Sequence, residues 1–322
     1  MHRGVEIDNL KKNFVLRRWR GFRRSESEVI AVDGVYLKIA QGESVAFIGP
    51  NGAGKSTTIK ILTGILHPTS GNASVLGFVP WRERRKLAYH IGAVFGQRSQ
   101  LWYHLPPTDT FELLARIYSI KRPEFIRTRD ELVERFGLGP FMHVAVRKLS
   151  LGERMRAEVA ASLPHRPRVL FLDEPTIGLD VIARQQLRDL IREWNRRDGV
   201  TVFLTSHDAG DIEHVAERVI VINHGRVVVD DHVSNVRRQY LGSKILRVQF
   251  QESAASIDMR GVKIIERSQY EATLEIDTTA APISEVIGRL LEAAPVADIS
   301  VQDPPLEEVI ARIYQAGKAG SS

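Results

Sequence analysis

Three short, almost wholly apolar runs punctuate this chain: Ser44–Ile48 (SVAFI), Val169–Leu172 (VLFL) and Val200–Thr205 (VTVFLT). A run of this length with no polar alternation predicts a central parallel strand covered on both faces. Downstream of the first, Ile59, Leu62, Ile65 and Leu66 recur at helical spacing. Beyond Gly242-Ser243 the pattern changes. Ile245–Phe250, Val262–Glu266, Ala272–Ile276 and Val296–Val301 read as strands. Ile283, Val286, Ile287, Leu290 and Leu291 predict a helix, as do Leu306, Val309, Ile310 and Ile313. That βββαβα order suggests a small separate sandwich with no residues of evident chemistry.

Each of the first three runs ends in residues with chemical potential. GPNGAGKST (Gly49–Thr57) lies between a predicted strand and a predicted helix, the setting in which GxxxxGK[ST] grips phosphate. Gly49, Gly52 and Gly54 let backbone N–H groups converge on phosphate oxygens, and Asn51 and Thr57 belong to the same loop. Lys55 is placed to reach the β- and γ-phosphates, and the Ser56 hydroxyl to ligate Mg²⁺, at the positive end of a helix. Asp173 and Glu174 follow the second run, where parallel strands face a ligand crevice. Asp173 is a candidate Mg²⁺ ligand, and Glu174 a candidate to polarise an attacking water. A DE pair after a strand is commonly a solvated loop, and a lone histidine commonly a surface residue. As the third element after such a loop and pair, His207 reads as a γ-phosphate sensor.

Composition narrows the field without choosing within it. A chain of 322 residues allows about two domains. Uncharged runs such as Ser44–Gly54 fall far short of the roughly 18 apolar residues of a membrane span. The start, MHRGVEIDNLKK, lacks the apolar core of a signal peptide. The absence of cysteine excludes disulfides, thiol catalysis and thiolate metal sites. A net charge of +6 suits a nucleic acid, an anionic membrane surface or a phosphate ligand alike. A GTPase would need an NKxD or TKxD box to read guanine, and none is present.

With these motifs in order, from about Val5 to His232, the chain resembles the nucleotide-binding subunit of an ABC transporter. GPNGAGKST is similar to the family's Walker A motif, VLFLDEP to Walker B, GLD (Gly178–Asp180) to the D-loop and His207 to the switch histidine. Gln97 in AVFGQRSQ stands where the Q-loop glutamine should be, a Mg²⁺ and catalytic-water ligand in the family. GQRSQLWYHLP, LSLGERMRAE and DEPTIGLD resemble ABC-2 type exporters, especially ATPases of the viologen-exporter kind. The resemblance implies an α/β, RecA-like P-loop ABC nucleotide-binding domain over 1–241. It would carry antiparallel β and α-helical subdomains, the latter at about 98–165. A small α+β accessory domain would fill 242–322. ATP and Mg²⁺ are the implied ligands, with Phe14 stacking on adenine and Asp180 near the nucleotide.

The stretch LSLGE (Leu149–Glu153) stands where the family has LSGGQ. In the family, this signature closes over ATP held by the partner subunit's P-loop, so Ser150 and the Gly152 N–H would contact its γ-phosphate. Ser150-x-x-Glu153 also spells a capping box, an equally good structural reason for Glu153. The implied assembly is a head-to-tail homodimer sandwiching ATP. It would lie at the cytoplasmic face of the cell membrane, as a peripheral subunit driving separately encoded transmembrane permease subunits.

Two surfaces await a role. Lys11–Arg24 (KKNFVLRRWRGFRR) holds seven basic residues and no acid. Arg17–Glu28 reads as an insertion before Val29 resumes the strand pattern: a solvated hairpin tip, or a patch toward anionic lipid. Nucleic acid is not expected there. Trp102, Tyr103 and Leu105 follow Gln97, where the family receives a cytoplasmic helix of the membrane subunit; the alternative is packing inside the helical subdomain. Rival functions are a non-transport ABC ATPase acting on ribosomes or DNA, and an importer subunit. Ribosome-acting relatives usually carry two cassettes and DNA-repair relatives long coiled coils, whereas this chain has one P-loop and no sustained heptads over Thr58–Lys148.

Overall fold

The computed structural model describes residues 3–20, 23–96, 99–240, 243–252, 259–278, 280–302, 310 and 313, without the side chains at 3, 16–20, 23–25 and 237–240. The chain divides into two compact units, Met1–Val233 and Ser234–Ser322. The first opens with a hairpin, β1 (Arg3–Arg20) and β2 (Arg23–Ala40), followed by β3 (Ser44–Ile48) and α1 (Lys55–Leu62). Next come β4 (Ser70–Val75), α2 (Arg84–Ala88) and β5 (Ile91–Phe95), then α3 (Pro107–Ile117), α4 (Arg122–Arg135) and α5 (Leu151–Ala161). The chain returns through β6 (Val169–Asp173), α6 (Val181–Asp198), β7 (Thr201–Ser206), α7 (Ala209–Val215), β8 (Arg218–Asn223) and β9 (Arg226–His232).

Six strands form the central sheet in the order β5-β6-β7-β3-β8-β9. All neighbours run parallel except β8 and β9. The three apolar runs are β6, β7 and β3, side by side in its middle, as expected of strands buried on both faces. The period of two divides their side chains between two cores. Leu170, Leu172, Val202 and Leu204 pack with Phe111, Phe125, Met155 and Leu187 of the helices. Val169, Phe171, Phe203 and Phe47 pack with Val5, Leu37, Ile59 and Leu62 from the hairpin and α1. The second core is closed by a three-stranded antiparallel sheet, β2-β1-β4. No described helix is long and apolar enough to cross a membrane.

The basic insertion extends the β1–β2 hairpin, as the hairpin reading expected. β1 and β2 stay in register to Arg20↔Arg23, through Arg17↔Glu26 and Phe14↔Val29. Pairing of β1 with β4 ends at Lys11↔Ser70, so beyond it the hairpin is a two-stranded ribbon. Apolar alternation marks strands with a face to bury. A ribbon with no third strand has no such pattern to show. Phe22 lies outside the described residues.

In the second unit, α8 (Val233–Tyr240) precedes β10 (Ser243–Phe250), β11 (Val262–Arg267), β12 (Glu271–Asp277), α9 (Ile283–Ala293) and β13 (Val296–Gln302). The strands make one antiparallel sheet in the order β11-β12-β10-β13. Val286 and Leu290 of α9 pack against Leu246, Val248, Leu274 and Ile276. Of the last expected helix, Ile310 and Ile313 are described, both helical and buried; Leu306 and Val309 lie outside the described residues.

The aromatic centre of the second core gives a stability test. Phe203 is fully buried, with ring centroids 5.2 Å from Phe47 and 5.7 Å from Phe171. Phe203→Ala is expected to cost about 3–5 kcal/mol, read as a lower urea midpoint with an unchanged m-value.

Candidate functional site

The C-terminal ends of β3, β6 and β7 bring the first group of expected residues together. The loop after β3 needs its glycines for space. At Gly54, with φ +107°, a Cβ would lie 2.2 Å from the Ala31 carbonyl oxygen. That contact seats the loop against β2. Asn51 and Gly52 are exposed and Thr57 half-buried. Lys55, the first residue of α1, is buried, and its Nζ donates to the Gly49 carbonyl at 2.6 Å. It also stands 3.6 Å from Glu174 Oε1.

Asp173 ends β6 beneath this loop. Its Oδ1 accepts hydrogen bonds from Ser56 Oγ at 3.0 Å and Thr205 Oγ1 at 2.7 Å. Two hard oxygen groups, the Ser56 hydroxyl and the Asp173 carboxylate, therefore meet at one point. Mg²⁺ keeps several waters and substrate phosphates and takes only one or two protein oxygens, so this pair fits it. Among the described residues no larger cluster of histidine and carboxylates offers a protein-only metal cage.

Glu174 has φ +53°, uncommon for a residue with a side chain. Its N–H donates to both Thr205 oxygens, the carbonyl and Oγ1, at 3.1 Å each. This turn carries its carboxylate between Lys55 on one side and His207 Nδ1, 3.7 Å from Oε2, on the other. Glu174 is mostly buried while His207 is 59% exposed, so the histidine remains open to a ligand. Lys55, Ser56, Asp173, Glu174 and His207 thus form one constellation. Phe14 is half-buried and pairs with Val29, two residues along β2 from Ala31, which abuts Gly54. Gln97 lies outside the described residues.

Ser150, Gly152 and Asp180 form a second group. Ser150 caps α5: its Oγ accepts from Glu153 N at 3.2 Å, and Glu153 Oε2 accepts from Ser150 N at 2.8 Å. The capping box is real, and Glu153 has a structural task. Asp180 caps α6, with Oδ1 accepting from Ala183 N at 2.9 Å. A Cβ on Gly152 would come within 2.7 Å of the Ala183 Cβ, so the glycine lets the two helix starts approach. Among the described residues no hydrogen bond or ion pair joins Ser150, Gly152 or Asp180 to Lys55, Ser56, Asp173, Glu174 or His207.

Several supporting residues carry no motif that a single sequence displays. Thr205 is the partner of both Asp173 and Glu174. Glu158 of α5 is buried, and burial pushes its carboxyl above the usual range. It accepts from Gln100 N at 3.0 Å and contacts Ser99 Oγ closely, tying the segment beyond Gln97 to α5. Asp208 and Asp211 bind Arg184 and Arg188. A charged residue on an otherwise apolar helix face was the only available signal, and Glu158 shows it.

A family model described as ABC transporter matches residues 32–177. The chain is 33% identical to the daunorubicin resistance ATP-binding protein DrrA3 of Streptomyces coeruleorubidus, over 87% of this chain and 89% of that one. It is 29% identical to the linearmycin resistance ATP-binding protein LnrL of Bacillus subtilis (strain 168), over 86% and 91%. Among solved structures it resembles the dimeric, post-hydrolysis state of the ATP-binding cassette MJ0796 bound to ADP and Pi, with TM-score 0.61 and 27% identity, over 71% of this chain and 98% of that one. On this similarity the chain belongs to the ABC transporter family, as an ATP-binding and ATP-hydrolysing cassette.

Proposed function

We propose that this chain is the ATPase subunit of an ABC-2 type exporter, peripheral to the cytoplasmic face of the membrane and working with separately encoded permease subunits. The observation that carries the ATPase chemistry is the convergence of Lys55, Ser56, Asp173, Glu174 and His207 at one sheet edge. The export reading is supported by relatives named for drug resistance that match most of the chain.

The roles follow from placement. The N–H groups of the Gly49–Thr57 loop and the start of α1 cradle the phosphates. The Lys55 ammonium moves from loop carbonyls to phosphate oxygens. Ser56 and Asp173 would hold Mg²⁺, with Gln97 joining them on the family resemblance alone; when bound, the ion supplies neutralisation of the β- and γ-phosphate charge. Glu174 accepts a proton from, or orients, the attacking water. His207 senses the γ-phosphate, and Phe14 lies against adenine.

A head-to-tail dimer explains why the second group stands apart. Ser150, Gly152 and Asp180 would complete the partner's site and not their own. Beside them lie large apolar side chains open to solvent: Val181 at 81%, Ile182 at 71%, and Leu151 and Ile177. Such a patch on a charged protein is an interface feature. Trp102 and Tyr103 are likewise exposed, at 47% and 58%. Their segment is fixed from behind by Arg147 N donating to the Tyr103 carbonyl at 2.9 Å and Val146 N to that of Leu105 at 3.1 Å. Rigidly presented aromatics suit a docking site for the membrane subunit.

Glu174→Gln should retain ATP binding, lose turnover by about a hundredfold or more, and accumulate an ATP-bound dimer by size-exclusion chromatography; near-normal hydrolysis would remove Glu174 from its role. Replacing Trp102 and Tyr103 with Ala should reduce co-purification with the permease while nucleotide affinity stays unchanged. Glu153→Gln keeps the capping box, so dimer affinity in Mg-free ATP should change by less than about twofold at low salt. A gain of about fivefold, as like-charge repulsion would give, would mean that the carboxylate opposes phosphate.

A further inference from the structure

Behind His207 lies a partly buried ionic network. Asp211 is fully buried and accepts from Ser206 Oγ at 2.6 Å and Arg188 Nε at 2.6 Å, with Thr176 Oγ1 in short contact. Asp208 accepts from Arg188 Nη2 at 2.6 Å and Arg184 Nη1 at 2.5 Å. The other arm of Arg184, Nη2, donates to the Leu179 carbonyl at 3.2 Å. Gly210 leaves room for this: a Cβ there would stand 2.8 Å from the Arg188 guanidinium.

These contacts reach the loops that follow β6 and β7 and the start of α6. Thr176 is two residues beyond Glu174. Leu179 precedes Asp180. Ser206 and Asp208 flank His207, so both neighbours of the histidine are pinned while its own side chain is left exposed. Buried ion pairs hold two helices together no better than apolar packing of the same volume. What a planar guanidinium adds is direction, because its donors are fixed relative to one another.

We propose that Arg184, with Asp208, Arg188 and Asp211, is a positioning device that links His207 to the Asp180 loop, so that γ-phosphate contact and dimer closure become one event. This rests on the ATP-sandwich dimer proposed above. Arg184 is the positioning residue at the crossing: one arm holds the loop of His207, the other the loop that meets the partner.

The test uses the full chain carrying Glu174→Gln, so that ATP-driven dimerisation is measured without turnover. Adding Arg184→Gln should weaken the dimer about tenfold, with monomer ATP affinity within about twofold and Tm within a few degrees. His207→Ala should weaken it too, and the double variant should be no worse than His207→Ala alone within about twofold, since coupled residues are non-additive. Arg184→Lys keeps the charge but not the fork, and should reproduce the loss; it also serves if the glutamine variant folds poorly. An unchanged dimer in Arg184→Gln, additive losses with His207→Ala, or full recovery with lysine would each overturn the proposal. Absence of any ATP-driven dimer in the Glu174→Gln protein would overturn the dimer reading instead.

Discussion

The Thr205 side chain, at the end of β7, is the support on which the candidate site depends. Its hydroxyl donates to Asp173 and accepts from the N–H of Glu174, and its carbonyl accepts from the same N–H. Holding a glutamate at positive φ costs about 1–3 kcal/mol, which neighbouring structure must over-determine. Here one residue of the adjacent strand supplies both contacts, because β6 and β7 are in parallel register with Asp173 opposite Thr205. Without that pairing the Glu174 turn would relax, and its carboxylate would leave the space between Lys55 and His207. The burial of the central strands therefore does more than stabilise. It sets the register from which the site geometry follows.

The two groups of expected residues differ in how their side chains are used. In the first, hydroxyl, carboxylate and ammonium meet one another and so offer exchangeable partners to a ligand. In the second, the Ser150 and Asp180 side chains are already engaged as helix caps. What they expose is the helix start itself, with its unpaired N–H groups and positive dipole end. Large apolar side chains, Leu151, Ile177, Val181 and Ile182, are exposed around these two helix starts. This division of labour accounts for an altered signature: Leu151 and Glu153 leave the helix start intact, and Glu153 reinforces it.

The motifs were legible because each is local. Strand, glycine loop and helix occupy consecutive residues, and a fully apolar run identifies a central strand wherever it occurs. The second unit was legible for the same reason, since its strands and α9 alternate or repeat cleanly. The hairpin beyond Lys11 was read as an insertion with a hairpin tip, but its strand length was not, because a two-stranded segment with no core to face has no alternation to read. Thr205, Glu158, Arg184 and Asp211 were missed for another reason. Each has a partner more than about twenty residues away in the chain, and a single threonine or arginine carries no sign of which carboxylate it will meet.

By itself, the sequence determined the elements and the side chains at their ends: which runs are strands, where a glycine loop opens a helix, and which carboxylates and histidine are available. These depend on contacts within a few residues and on solvation, which local residue order encodes. Tertiary structure alone decided the rest. It set which strands neighbour one another, that Ser56 and Thr205 share Asp173, and that the loops of Glu174, Asp180 and His207 are joined through Arg184 and Asp211. Those pairings span up to 117 residues between Ser56 and Asp173. At that separation, only the packing of the whole sheet brings the partners within hydrogen-bond reach.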